Sequence, residues 1–417
     1  MAGGGVRQSG ALKRGPVRRR WALRAVGVVA VVGVGVGVAG WVVYVKLDGN
    51  ITADEAAAAE LARYAKERPT ALVKDAQNVL VIGSDSRAGD DTGRYGTDSG
   101  TERSDTAILL HLSARKTGKT DTAGKTDTAG KTDTAGRAGK GGGRTATAVS
   151  LPRDLMVDVP ACLRADGKRA RPAFAMFNYA FETGGSACTV RTVEKLTGVR
   201  IDHHVVVDFR GFKDMVDALG GVRVCLREPI VDKGAKLRLP AGQVTLDGEQ
   251  ALGYVRARKS LGNGSDTGRM ERQQRFLAAL VNKVQSNDVL LNPVKLYPVL
   301  DAATSSLTTD PELASLRGLY ELVRGLRDIP TEHVQFLTVP RESYIYNANR
   351  DQLKEPAAEK LFERLRIDAP LAVSHELPMN SGTSESGGYG PYGSGRASPT
   401  PPAPTFRGNT AAEDGCG

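Results

Sequence analysis

The sequence predicts an α/β body behind one membrane-spanning helix. Three observations predict it: an uncharged run of 21 residues at 25–45, short apolar strand-type stretches interleaved with segments of helical period, and a composition 40% hydrophobic, enough for one large core or two smaller ones. Charge narrows the function. The chain carries 57 Lys+Arg against 47 Asp+Glu, a formal +10, but residues 1–24 hold seven of the bases and no acid, and residues 116–144 hold seven more against three acids. The remainder is close to neutral. A positive field confined to a leader and a low-complexity insert excludes a general nucleic-acid binder, whose basic surface belongs to the folded domain.

In chain order, the basic leader 1–24 comes first. The run 25–45 would cover about 31 Å as a helix, matching the ~30 Å apolar core of a bilayer, and in lipid its Val and Gly residues become helical because every backbone group must be bonded within the segment. Bases before the run, and none of that density after it, predict a cytoplasmic N-terminus and an extracytoplasmic body anchored in the cell membrane. A cleaved signal peptide is the alternative, with small residues at Gly37, Val38 and Ala39, but the apolar run continues past Trp41 to residue 45. Residues 46–75 read as a juxtamembrane linker with a short Ala/Glu-rich helix over 52–66. The domain proper spans 76–370. It has strands at 78–82, 106–112, 146–151, 204–208, 221–226, 251–256 and 333–339, and helices at 209–219, 268–284 and 311–326. Between the second and third strands KTDTAG stands three times in succession over 119–136. Such a repeat buries nothing, so 116–144 reads as a flexible extension of a hairpin loop remote from the candidate site. Residues 371–417, rich in Ser, Gly and Pro, read as a disordered tail.

The four cysteines are Cys162, Cys188, Cys225 and Cys416, with no CxxC and no Cys/His cluster of zinc-like spacing. Cys162 and Cys188 flank one loop-rich segment of a chain expected outside the cell, and a bridge between them would contribute roughly 3 to 4 kcal/mol. Cys225 reads as a buried free thiol, and its pairing with Cys416 stays open.

Arginine recurs beside Asp or Gln at strand ends and at one helix start. NVLVIGSDSRAG delivers Asp85 and Arg87 after a strand, RSDTAILL puts Arg103 and Asp105 before the next, and SLPRDLM puts Arg153 and Asp154 after the third. LGYVRARKS sets Arg256 and Arg258 on one face of a strand, and GRMERQQRF sets Arg269, Arg272 and Gln273 along one helical ridge. A single cluster of this kind is ordinarily a solvated ion pair, but five exceed what solubility requires. Arginine forks bind phosphate oxygens bidentately, and paired carboxylates suit Mg2+. His203 and His204 face opposite ways in a strand and read as structural.

The ordered set GSDSR, RSDT, LPRD, FNYAFETGG, VVVDFRGFKDMVDALGGV, LDGEQALGYVRAR and DTGRMERQQ resembles the LytR-CpsA-Psr proteins of Gram-positive bacteria, of actinobacterial texture, over 78–284 and more loosely to 368. The resemblance implies one extracytoplasmic α/β domain with a central mixed β-sheet surrounded by helices. It further implies a phosphotransferase that moves a glycopolymer, teichoic-acid-like or another anionic wall polysaccharide, from a polyprenyl-pyrophosphate carrier to peptidoglycan. By matching motif, Asp85 and Asp105 would hold Mg2+, while Arg103, Arg153, Arg256 and Arg258 would form the catalytic set. Arg87, Arg269, Gln273, Asn178 and Asp266 would bind the pyrophosphate, and Asp154 matches a further family position. A lipid-linked donor calls for an arginine cradle beside an apolar cleft and for a membrane anchor. No GxSxG, HExxH or GxxxxGK motif occurs, which argues against acyl hydrolases, zinc proteases and nucleotide-driven kinases. Two alternatives stay open: hydrolysis of the polyprenyl pyrophosphate with water as acceptor, and a non-enzymatic membrane-bound regulator of the envelope.

Overall fold

A computed structural model describes residues 16–84, 104–114, 143–232, 235, 237–257, 266–285, 293–374 and 403–413, and the chain divides into two units, Met1–Gly49 and Asn50–Gly417. The first is built on helix α1 (Pro16–Asn50), of which the 24 residues Gly27–Asn50 are long and apolar enough to cross a membrane. Trp41 and Tyr44 stack on it with ring centroids 6.1 Å apart, the residue types that favour a membrane–water interface.

The second unit follows in chain order as β1 (Thr52–Ala53), α2 (Glu55–Arg63), β2 (Gln77–Ser84), β3 (Ser104–Leu112), β4 (Ala146–Leu151), β5 (Met156–Val159), β6 (Ala173–Met176), α3 (Asn178–Thr197), β7 (His203–Asp208), α4 (Phe209–Ala218) and β8 (Val222–Leu226). After these come β9 (Ile230–Asp232), β10 (Leu237–Leu239), β11 (Gly242–Leu246), α5 (Gly248–Arg256), α6 (Asp266–Gln285), α7 (Pro293–Ser305), β12 (Leu307–Thr309) and α8 (Leu316–Arg327). The last elements are β13 (Val334–Thr338), β14 (Arg341–Tyr344), β15 (Asn347–Leu353), α9 (Ala357–Arg366), β16 (Ala372–Ser374) and β17 (Thr405–Thr410). Among the described residues the main sheet runs β1-β12-β7-β2-β3-β4-β13-β17-β16. It is mixed, as expected: β2 lies parallel to β7 and β4 parallel to β13, while β3 runs antiparallel between β2 and β4. That pattern brings the C-terminal ends of β2, β7, β4 and β13 to the same end of the sheet as the start of β3, the end at which open α/β sheets bind ligands.

Alternation along the strands explains the layers. Leu80 and Ile82 of β2, Leu109 of β3, Val149 of β4 and Leu337 of β13 bury against Phe177, Phe181 and Val193 near or on α3, and against Leu361 and Phe362 of α9. The neighbours Ile108, Ala148 and Phe336 turn to the other face, against Ala278 of α6 and Leu322 and Leu326 of α8. All six residues of β4 are buried, as a central strand covered on both faces requires, and its two hydroxyls, Thr147 and Ser150, are bonded to Gln335 and Gln274. A separate cluster joins β8, β11, α4 and α5 around Phe276 of α6.

Several expectations are corrected. Residues 251–256 are not a strand but the body of α5, started by a capping box in which the Asp247 side chain accepts from the Gln250 N–H at 2.8 Å and the Gln250 side chain accepts from the Asp247 N–H at 3.2 Å. The stretch 46–75 is not a separate linker, since β1 joins the sheet and Ala57 and Leu61 of α2, spaced one turn apart, enter the main core. The tail read as disordered contributes β16 and β17, with Phe406 and Ala411 buried. Residues 375–402 and 414–417 lie outside the described residues, as do 115–142 of the KTDTAG insert. Its flanks close the antiparallel β3–β4 pair at Leu112 and Ala146, the sheet end away from Ser104.

The bridge between Cys162 and Cys188 is present, with Cα atoms 5.6 Å apart. It ties the loop after β5 to α3 at a kink where Gly184 and Gly185 leave helical geometry, and a Cβ on Gly184 would meet the Leu163 carbonyl oxygen at 2.8 Å. Cys225 is also disulfide-bonded, so the free thiol expected there is not found. A place in strand β8 alone could not distinguish the two states.

Candidate active site at one end of the sheet

The sequence clusters that the structure describes gather at one end of the sheet. Arg153 follows β4 by two residues; its Nε lies 3.4 Å from the Asp154 carboxylate, and its carbonyl accepts from the N–H of Asn178, the first residue of α3, at 3.1 Å. Asp154 is held from its other side by Arg350 at 3.5 Å. Arg256, the last residue of α5, lies with its guanidinium carbon 4.6 Å from the ring centre of Phe209, which opens α4 directly after β7. This cation–π contact helps hold the guanidinium at the β7 end of the sheet.

Helix α6 is fastened to three strand ends by adjacent glutamines. Gln273 donates to Thr106 Oγ1 at 3.1 Å and to the Val255 carbonyl at 3.2 Å, linking the start of β3 to the end of α5. Gln274 donates to Ser150 Oγ at 3.4 Å and to Thr338 Oγ1 at 3.0 Å, at the ends of β4 and β13. Arg269, one turn before Gln273, is buried, and Arg272 is buried too, with a hydrogen bond from its guanidinium to the Ala257 carbonyl. Burial above all pushes the Arg272 guanidinium below its usual value, and the cations of Arg269 and Arg275 add to that. The carboxylate of Asp232 opposes that shift, so part of the charge is answered within the protein. The first residue of α3 lies at this end too, and with it the positive end of a helix dipole, an arrangement suited to an anionic group.

Of the residues singled out in the sequence, Arg153, Asn178, Arg256, Arg269 and Gln273 are described and lie at this end of the sheet. Sequence reasoning missed Gln274, Phe209 and Ser84; a second Gln in an otherwise apolar helix stripe was the available signal for the first. Asp85, Arg87, Arg103 and Arg258 lie outside the described residues, and so do the side chains of Asp105 and Asp266 on β3 and α6. Ser84, one peptide bond before Asp85, is paired in register with Ser104, one before Asp105. Its buried Oγ has no hydrogen-bond partner among the described residues. An unanswered buried hydroxyl next in sequence to two carboxylate positions is compatible with a hard cation and its phosphate ligand nearby. Next to Ser84 opens a cavity of about 730 Å³, with Phe181, Ala187 and Val206 among its apolar lining and Asp54, Glu182 and Asp208 among its polar lining.

The histidines are structural, as read. His203 Nδ1 lies 3.2 Å from Asp310 and His204 Nε2 lies 3.3 Å from Asp54. His203, Asp310 and Glu312 bring ligand-type atoms within 4.8 Å of one another, but at the start of β7, away from the arginines.

Fold and site define a class, and the comparisons agree with it. The LytR_cpsA_psr family model matches residues 44–123 and 117–367, and the chain belongs to that family. Among curated relatives it is 35% identical over 298 residues to the probable cell wall biosynthesis protein LcpB of Corynebacterium glutamicum, covering 69% of this chain and 61% of the relative. It is 27% identical over 296 residues to TagT of Bacillus subtilis, named a polyisoprenyl-teichoic acid–peptidoglycan teichoic acid transferase, covering 69% of this chain and 76% of TagT. The solved LytR-Csp2A-Psr enzyme from Actinomyces oris shares the fold, with a TM-score of 0.50 and 19% identity over 72% of this chain and 93% of that one.

Proposed function

We propose that this chain is a membrane-anchored phosphotransferase that moves an anionic glycopolymer from a polyprenyl-pyrophosphate carrier to peptidoglycan. The observation that carries this reading is the placement of Arg153, Arg256, the start of α3 and the Arg269–Gln273 turn of α6 at one sheet end. The name of TagT supports donor and acceptor class. In the reaction an acceptor hydroxyl oxygen forms a bond to the phosphorus beside the glycan, the bond from that phosphorus to the bridging oxygen breaks, and lipid phosphate departs while the hydroxyl proton is lost to solvent. Arg153, positioned through Asp154 and Asn178, and Arg256, held over Phe209, present N–H forks to the charge that develops on the phosphoryl oxygens. Gln273 and Gln274 keep α6, and with it Arg269, at a fixed height over the strand ends. The cavity beside Ser84 receives the part of the donor beyond the pyrophosphate. Asp85 and Asp105 would hold Mg2+, which neutralises phosphate oxygens when bound. The leader's bases set the N-terminus in the cytoplasm and the body outside.

The test is turnover of a labelled lipid-linked glycopolymer by the full chain in detergent, with and without peptidoglycan oligomers. Arg153→Ala and Arg256→Ala should each lose about 30- to 1,000-fold, the scale of removing one preorganised donor, and Lys should rescue only partly because it lacks the fork. Near-wild-type turnover in both alanine variants, with unchanged melts, would sink the assignment. Release without transfer would make the chain a hydrolase.

A further inference from the structure

The β14–β15 hairpin carries at its tip Tyr344, Ile345 and Tyr346, and Phe174 of β6 stands beside it. Phe174 is 55% exposed, Ile345 72% and Tyr346 81%. The rings are tiled: Phe174 and Tyr344 have centroids 6.1 Å apart, and Tyr344 and Tyr346 5.4 Å apart in an edge-on arrangement. Rings left in water in a contiguous group mark a binding surface. The support is stiff. Gln352 accepts from the Ile345 N–H at 3.4 Å and donates to Glu342 at 2.8 Å, and Arg341 is paired with Asp351, so little order has to be imposed on binding.

Both pieces hang on the catalytic loop. The Asp351 N–H donates to the Asp154 carbonyl at 3.1 Å, and Arg350 reaches the Asp154 carboxylate that also faces Arg153. Phe174 lies on the strand paired with β5, which starts two residues after Asp154. The hairpin and the strand that carry the tiled rings are thus anchored to the loop that holds Arg153. Their neighbourhood is also polar, with the exposed amides Asn347 and Asn349 on β15. A pyranose chain has this dual character, with C–H faces that stack on rings and a rim of hydroxyls and acetamides that take hydrogen bonds. A membrane surface fits less well. Arg153, Arg171, Arg341, Arg350 and Lys354 stand against Asp154, Asp158, Glu342, Asp351 and Glu355, with Asp158 in register with Phe174, which leaves no surplus of bases to draw the hairpin to an anionic leaflet.

We infer that Phe174, Tyr344 and Tyr346 form the platform on which the acceptor glycan strand lies, aligned by the Arg153–Asp154 loop beside the transferred phosphorus. The inference rests on the reading of the chain as a transferase to peptidoglycan. The experiment measures binding of soluble, uncross-linked peptidoglycan strands to the full chain in detergent, with no donor present. Tyr346→Ala and Phe174→Ala should each weaken Kd about tenfold or more, the loss expected on removing a central interface ring, whereas Tyr346→Phe should keep the wild-type value. Melting temperatures should not move, since both side chains lie largely in solvent. Unchanged Kd in both alanine variants would overturn the platform. So would quenching, by brominated lipid in nanodiscs, of the indole that Tyr346→Trp adds, because the ring would then face the bilayer. Failure of the transferase reading would appear instead in donor turnover, which this binding measurement does not use.

Discussion

Asp310 gathers four donors at the start of β7. The N–H groups of His204, Glu312 and Leu313 point to its carboxylate at 3.1 to 3.3 Å, and His203 Nδ1 stands 3.2 Å away. Burial alone would lower the His203 pKa, but the hydrogen bond to Asp310 and the charges of Asp310, Asp202 and Glu312 outweigh it and raise the value. Burial would likewise raise that of Asp310, and the bond and charge of His203 hold it down. The signs give a pH window. The histidine's share of stability is complete below its unfolded value, about pH 6.5, and is lost as pH rises through the raised folded value; the aspartate's share is present above about pH 4 and is lost as pH falls through its depressed value. Denaturant melts of the full chain at about pH 6 and pH 8.5 should therefore show wild type weakening on the alkaline side, and His203→Gln weakening less. Equal slopes in the two proteins would remove the pair from the account. The opposed faces of His203 and His204 were legible from adjacency in a strand; the Asp310 partner, 107 residues on, was not.

Strand β17 shows what an element can do with almost no apolar pattern of its own. Its hydrogen bonds run to β13 on one side and β16 on the other, and only Phe406 reaches the main core. Gly408 makes the pairing possible, because a Cβ there would lie 2.2 Å from the Phe336 carbonyl oxygen and 3.0 Å from Leu337 Cβ. Gly408→Ala should then cost about 2 to 4 kcal/mol through forced displacement of the strand, and Phe406→Ala about 3 kcal/mol through the cavity. Arg407→Ala, which removes an exposed pair with Glu271 at 2.9 Å, should cost under about 1 kcal/mol. Urea melts of the three variants are the check; if all three matched wild type, the tail would have no part in the sheet. Composition made this segment look like tail because Ser, Gly and Pro dominate its surroundings, and a strand added to an existing sheet needs backbone donors more than side chains. Helix α5 is the reverse case. Its apolar run suits either period, and the Asp247–Gln250 box decides for the helix.

Across the whole molecule, an apolar helix with bases before it makes the orientation testable. Protease added to intact protoplasts should remove the body and leave the anchor, and complete protection would reverse the proposed topology. Much of this was legible in the chain. The apolar run, the alternating strands and the Cys162–Cys188 bridge follow from period, length and residue type, which are local quantities. The Arg, Asp and Gln clusters were legible as types but not as neighbours: Arg153 and Asn178 are 25 positions apart in the chain, Thr106 and Gln273 167, and only the sheet order sets them at one end. The sequence by itself determined the apolar N-terminal run, most of the central strands and helices, and which side chains suit phosphate. The tertiary structure decided which strand ends meet, that α2 and β17 belong to the body, and that the aromatic hairpin adjoins Arg153. Such contacts depend on packing between distant segments, and their energy enters only when the chain closes on itself.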